Sequence, residues 1–197
     1  YDHTRPYEQR VDGVLNGLQL PQDKRPHFIT MYFHEADSKG HTFGPNSPEV
    51  NASIKLMDKM LGLLFDGLQQ INMVAKTNII VVSDHGMTEV NTERIVNIEK
   101  ILSDYSCRFV GNGPFMMIWP DSATQEEEIY QTLKSAMKHF KVYYRDEIPK
   151  HFHFSRNPFI APIFLIADIG WSVETGSSAN WLWQNPGTGG NHGYDNH

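Results

Sequence analysis

The stretch that most constrains this chain is NIIVV at residues 78–82, where Ile79, Ile80, Val81 and Val82 follow one another without a polar break. β-branched side chains suit a pleated backbone, and a short unbroken apolar run suits a strand covered on both faces. Upstream, Ser47 and Pro48 read as a helix cap and first turn. Ile54, Met57, Leu61, Leu64 and Leu68 then recur at helical spacing to about residue 71. Before that helix, HFITMYF at 27–33 is rich in strand formers and closes at Met31 to Phe33. Strand, long helix, strand is the crossover that makes two strands parallel, so the spacing predicts an α/β sheet. Ligands of open α/β sheets bind at the carboxyl ends of the strands. Here those ends carry HEADSKGHTFGPNSPE after the first strand and SDHGM after the second.

The rest of the chain fits around this unit. Val11, Val14, Leu15 and Leu18 mark an amphipathic helix over 7–20, between Pro6 and Pro21. Residues 91–102 are expected to be helical, with Ile95, Ile98 and Leu102 inward. Residues 107–110 and 115–119 read as strands joined by the turn GNGP. A helix is expected over 122–138, opened by Glu126, Glu127 and Glu128, which suit the positive N-terminal end. Short strands follow at 142–144 and 160–167. The last thirty or so residues, rich in Gly, Asn and Ser, suit a long loop folded over a site.

Composition narrows the function. The chain has 197 residues, a net charge of −6 and no basic stripe, which disfavours a polymeric nucleic acid as partner. With Cys107 as the single cysteine, no disulfide forms within the chain and a cysteine zinc cluster is ruled out; a buried free thiol is expected. Ten histidines direct attention to imidazole and carboxylate ligands. No apolar run approaches the roughly 18 residues of a membrane span, and YDHTRPYEQR lacks the pattern of a secretory leader. Tyr1 is not an initiator methionine, so the chain reads as part of a longer protein.

Three polar clusters could carry chemistry. Asp37 and His41 form D-x-x-x-H after the first strand, a spacing that puts both on one side of a helical or turned segment. Asp84 and His85 end the second strand. His192 lies in GTGGNHGYDN, where glycines permit close backbone approach. Nitrogen with oxygen ligands favours zinc over calcium or magnesium. Each cluster alone also fits a polar strand end or a turn; together they point to a metal crevice.

MYFHEADSKGHTFGP, NIIVVSDHGM and GGNHGYDN, in that order and spacing, closely resemble the second half of the catalytic domain of the nucleotide pyrophosphatase/phosphodiesterase family, within the alkaline phosphatase superfamily. The likeness also takes in YDHTRPYEQRVDGVLNGL and APIFLIADIGW. It implies a three-layer α/β/α fold with a mostly parallel sheet and a small hairpin elaboration. Residues 1–197 would then be the C-terminal portion of an incomplete domain. It further implies zinc-dependent hydrolysis of nucleotide phosphodiester or pyrophosphate bonds, releasing nucleoside 5′-monophosphates. Two Zn²⁺ ions would be held, one by Asp37, His41 and His192, the other by Asp84 and His85 with an Asp and a nucleophilic Thr from a preceding segment. Thr4, Thr30, Thr42 and Thr88 do not stand in the nucleophile's context, so the chain alone should not turn over substrate. By the same resemblance Tyr1 would stack on the nucleotide base, and the enzyme would work outside the cell, at its surface or in a periplasm. Ala36 stands where many relatives have proline.

Other features carry less. His151 and His153 alternate with Phe152 and Phe154 and should share an exposed strand-like face. Trp181 and Trp183 suit packing of the long loop, His34 and Glu35 suit support of Asp37, and Asn51-Ala52-Ser53 is a glycosylation triplet common by chance. The competing functions are the same zinc pair acting on a lysophospholipid, glycerophosphodiester, phosphonate or sulfate ester, and a non-catalytic binding domain.

Overall fold

The computed structural model of the chain describes residues 2–176 and 189–195. Two compact units emerge, one from residues 1–40 and 46–84, the other from 41–45 and 85–197.

The first unit is built on two helices, α1 (Tyr7–Leu18) and α3 (Pro48–Gln70). Their apolar stripes meet in a core of Val11, Leu18, Met60, Leu64, Leu68 and Met73; Leu64 and Leu68 stand where the periodicity predicts, whereas Ile54, expected on the same stripe, is exposed. The Ser47 hydroxyl accepts the Val50 N–H at 3.2 Å, and Pro48 opens the first turn of α3. Gly67 lets the Leu15 side chain close on α3, since a Cβ there would sit 2.2 Å from Leu15 Cδ1. Arg10 is buried, and its guanidinium donates to the carbonyls of Tyr32 at 2.7 Å, His3 at 2.9 Å and Arg5 at 3.0 Å. It thereby ties the segment before α2 (Glu35–Phe43) to α1, and the Tyr7 hydroxyl adds a bond to Glu35 at 3.3 Å.

The expected parallel pair does not form in this chain. Residues 27–33 and 78–82 carry no strand, and Phe28, Ile80 and Val82 are more than four-fifths exposed. A strand needs a neighbouring edge to satisfy its backbone groups, and no described residue offers one to these runs.

Among the described residues the second unit carries eight short strands. β3 (Cys107–Val110) and β4 (Phe115–Pro120) form the expected hairpin, and β6 (Ile163–Ala167) and β5 (Phe140–Tyr144) extend it into an antiparallel sheet of order β3-β4-β6-β5. Every residue of β6 is buried. Ile163, Leu165 and Ala167 join the core under α5 (Glu126–Ser135), and Phe164 and Ile166 pack with Ile148 and Ile160 on the other face. That double cover explains why β6 reads as a continuous apolar run. α5 is shorter than the expected 122–138, its start being a 3₁₀ turn at Ala123–Gln125.

The helix expected over 91–102 is instead strand β2 (Ile95–Asn97) followed by a single turn, α4 (Ile98–Ile101). β2 pairs in parallel with β7 (Ser172–Glu174), the one parallel ladder among the described residues. Ile95 and Val96 favour this pairing over helix, and Asn97 caps the turn by accepting the Lys100 N–H. β1 (Thr88–Val90) pairs antiparallel with β8 (Gly189–Asn191). His151 and His153 do not share a strand-like face. His151 lies in a 3₁₀ turn with Nε2 3.4 Å from Asp195, and His153 has φ +50°. Cys107 is half-buried rather than buried, and burial with the nearby Asp121 raises its thiol pKa.

Candidate metal centre

The segment after residue 33, expected as a loop, is helix α2, and it sets the geometry of Asp37 and His41. Four residues apart on one continuous helix, they occupy the same face one turn apart. α2 ends at Gly44, whose φ of +84° terminates the helix. Gly189 then brings β8 against this end: a Cβ at Gly189 would lie 2.7 Å from the His41 carbonyl oxygen. The glycine at 189 is thus explained by backbone approach.

The His41 ring reaches the same strand, with Nδ1 2.9 Å from the Gly190 carbonyl. A carbonyl can only accept, so Nδ1 carries the proton and Nε2 is the lone-pair nitrogen. His85 shows the same arrangement, Nδ1 lying 2.8 Å from the Gly86 carbonyl. His192 stands between these two imidazoles. Its ring stacks on His85 at 3.5 Å and is tilted against His41 at 5.0 Å. His41, His85 and His192 thus adjoin within one unit, and Asp37 stands one turn before His41 on α2. A carboxylate with imidazoles can hold a metal ion, and an N/O donor set of this kind suits zinc.

Asp84 directly precedes His85 and is exposed. Tyr1, Trp181 and Trp183 lie outside the described residues. His34 makes edge contacts with the rings of His3 and Tyr7, and Glu35 pairs with Lys39 and Tyr7, so both support the start of α2. Asn51 is exposed on α3, while the Ser53 of its triplet is buried, its hydroxyl donating to the Glu49 carbonyl at 2.9 Å.

Sequence reasoning missed the packing behind His192. Asn191 Oδ1 accepts the His192 N–H at 2.9 Å, and the Tyr194 hydroxyl donates to the Trp171 carbonyl at 2.8 Å. Burial pushes the Tyr194 phenol up to about 12, against a lowering hydrogen bond with Ser172, and the Glu174 carboxylate adds to the rise. The GNGP turn was legible as a turn, but its contact with this loop is long-range and leaves no local pattern.

Solved structures define the class. The murine and human ectonucleotide pyrophosphatase/phosphodiesterase 5 superpose with TM-scores of 0.87 at 29% identity, covering 100% of this chain and 50% of theirs. The chain therefore has the alkaline-phosphatase-like α/β fold.

Within that class its family is also shown. Residues 1–195 match the family model of type I phosphodiesterase / nucleotide pyrophosphatase, and the chain belongs to that family. Among named relatives, the human ectonucleotide pyrophosphatase/phosphodiesterase family member 1 is 35% identical across 90% of this chain. The Xenopus laevis bis(5′-adenosyl)-triphosphatase is 33% identical across all of it. The chain spans 20% and 41% of these two relatives. The murine phosphodiesterase 5 has also been solved as an inactive variant, a threonine replaced by alanine, in complex with AMP. No helix among the described residues is long and apolar enough to cross a membrane.

Proposed function

We propose that this chain is the C-terminal portion of a catalytic domain that hydrolyses nucleotide phosphodiester or pyrophosphate bonds and releases nucleoside 5′-monophosphates. The observation that carries the reading is the spacing of Asp37 and His41 one turn apart on α2, with the His192 ring 5.0 Å from that of His41, in a chain of this family. These three would hold one zinc ion, and His85 with Asp84 a second. Bound there, zinc would supply Lewis-acid stabilisation of the phosphoryl oxygens and of the attacking and leaving groups.

The chain's own residues hold and orient. The Gly190 and Gly86 carbonyls fix the tautomers of His41 and His85, leaving Nε2 of each as donor. Asp37 contributes negative charge one helical turn from His41. No basic patch is needed for a phosphate ester, because the metal supplies the positive charge that a chain of net charge −6 lacks.

The nucleophile would be a threonine outside these 197 residues. The inactive threonine variant of the murine relative supports that assignment, and its complex with AMP supports a nucleotide as ligand. Names of relatives as ecto-enzymes support an extracellular or cell-surface location.

The test uses the whole protein containing this chain. Bound zinc is counted, and hydrolysis of a nitrophenyl nucleotide ester is compared with that of a choline phosphodiester. The expected result is bound zinc, preference for the nucleotide ester, and loss of at least about a hundredfold in rate in Asp84→Ala and His192→Ala. Preference for the choline ester would move the assignment to lysophospholipid-type substrates. Zinc-free protein with unchanged ligand binding would make it a binding domain.

A further inference from the structure

We propose that the turn at residues 111–114, backed by Glu174, is the seat that fixes the loop presenting His192, which makes Gly113, Glu174 and Asn191 positioning residues of the metal centre. This rests on His192 being a metal ligand.

His192 follows directly on β8, a strand of only three residues. On one side β8 is held by β1, with Asn191 opposite Thr88 in the ladder. Three residues make a weak ladder, so the position of the imidazole depends on what lies behind the strand. There the Asn191 side chain lies between the His192 N–H and Gly113. Its Oδ1 takes the His192 N–H at 2.9 Å, and its Nδ2 lies where a Cβ of Gly113 would be, 2.4 Å from that point. The amide therefore needs a residue without a side chain at 113. Gly113 also has φ +70°, a backbone that L side chains rarely adopt.

The turn itself is anchored. Gly113 and Val173 exchange both backbone bonds, at 3.0 and 2.8 Å, in an antiparallel bridge. The Gly113 N–H is shared with Glu174 Oε1 at 3.2 Å. Val173 and Glu174 are both buried, so the Gly113 amide is held from the interior. Two further contacts seat the loop past His192. Gly193 packs on Pro114, a Cβ there falling 3.2 Å from Pro114 Cγ, and Tyr194 bonds the Trp171 carbonyl. Residues that orient a metal-binding histidine through its surroundings typically change metal affinity by about 10- to 100-fold when altered.

The experiment measures zinc affinity by chelator competition in the whole protein, with the melting temperature of the metal-free form as control. Gly113→Ala and Asn191→Ala are each expected to weaken zinc binding by about 10- to 100-fold; Asn191→Ala should leave the metal-free melting temperature little changed, whereas Gly113→Ala should also lower it, because φ +70° is strained for alanine. The pair should be non-additive in zinc affinity: with Asn191→Ala in place, Gly113→Ala should weaken zinc less than it does alone, because the amide it would strike is gone and only the backbone strain is left. Glu174→Ala should weaken zinc and Glu174→Gln, which keeps a carbonyl acceptor for the Gly113 N–H, should restore it. If Gly113→Ala does not fold, Asn191→Ala and the Glu174 pair decide. Should His192→Ala release zinc while Asn191→Ala, Gly113→Ala and Glu174→Ala keep it within about twofold, the seat is overturned. Should His192→Ala itself leave zinc affinity unchanged, the underlying metal reading fails instead.

Discussion

Arg10 illustrates what a single residue can conceal. On a helix whose apolar stripe is read from Val11, Val14 and Leu18, an arginine passes for a solvated charge, yet it is buried and satisfies three carbonyls. Its guanidinium also lies 4.7 Å from the centre of the Tyr7 ring. Arg10→Ala leaves those carbonyls short of a donor, and urea denaturation of the whole protein should show a loss of about 2–4 kcal/mol. Asp37 and His41, by contrast, were legible from spacing alone, because the helical turn joining them is local. Tyr194 offers a pH test. Its phenol is held at about 12, against an unfolded value of about 10, so the neutral form is favoured in the folded state. Above pH 10 the unfolded chain ionises first, so stability is complete below pH 10 and falls as pH rises towards 12. After allowance for partial exposure the loss is about 1 kcal/mol, absent in Tyr194→Phe; thermal unfolding between pH 9 and 11.5 measures it.

At the scale of elements, periodicity was enough where an element is long. α1, α3 and α5 form and bury an apolar face, that of α3 without the expected Ile54, and the β3–β4 hairpin follows from its turn. The three-residue strands β1, β2, β7 and β8 escaped, since so short an element has no period and exists only through a distant partner. Ile95, Ile98 and Leu102 fit a helical face well, but the β2–β7 ladder, formed with residues 172–174, overrides that local preference. α3 yields a prediction of its own. Gly67 lets Leu15 of α1 close on α3, and a Cβ there meets the flexible end of that side chain. Gly67→Ala should therefore cost about 1–3 kcal/mol despite its better helix propensity. Adding Leu15→Val should recover part of this cost, measured as a thermal midpoint shift in both variants; equal additive losses would remove the steric explanation.

For the molecule as a whole, the informative failure is the missing parallel pair. Residues 78–82 were read as a strand covered on both faces, and the fold class inferred from them holds. Yet Ile80, Val81 and Val82 are exposed by 83%, 67% and 82%, and Phe28 by 85%. On the proposal that this chain is one portion of a larger catalytic domain, the pattern fits an environment larger than these 197 residues: the chain covers 50% of its solved relatives, and a continuous apolar strand is stable only with neighbours on both edges and cover on both faces. Two consequences separate this account from one in which the run is simply a surface segment. Expressed alone, residues 1–197 should bind a dye specific for apolar surface strongly and self-associate in gel filtration, whereas the whole protein should do neither. The substitution Ile80→Lys should then act with opposite sign in the two settings. In the isolated chain it breaks an exposed apolar run and should reduce self-association. In the whole protein the same lysine is buried without a partner, and unfolding should show a loss of about 3 kcal/mol or more. Equal tolerance of Ile80→Lys in both would mean that residues 78–82 face solvent in the complete protein. In that case Asp84 and His85 would not stand at the end of a central strand.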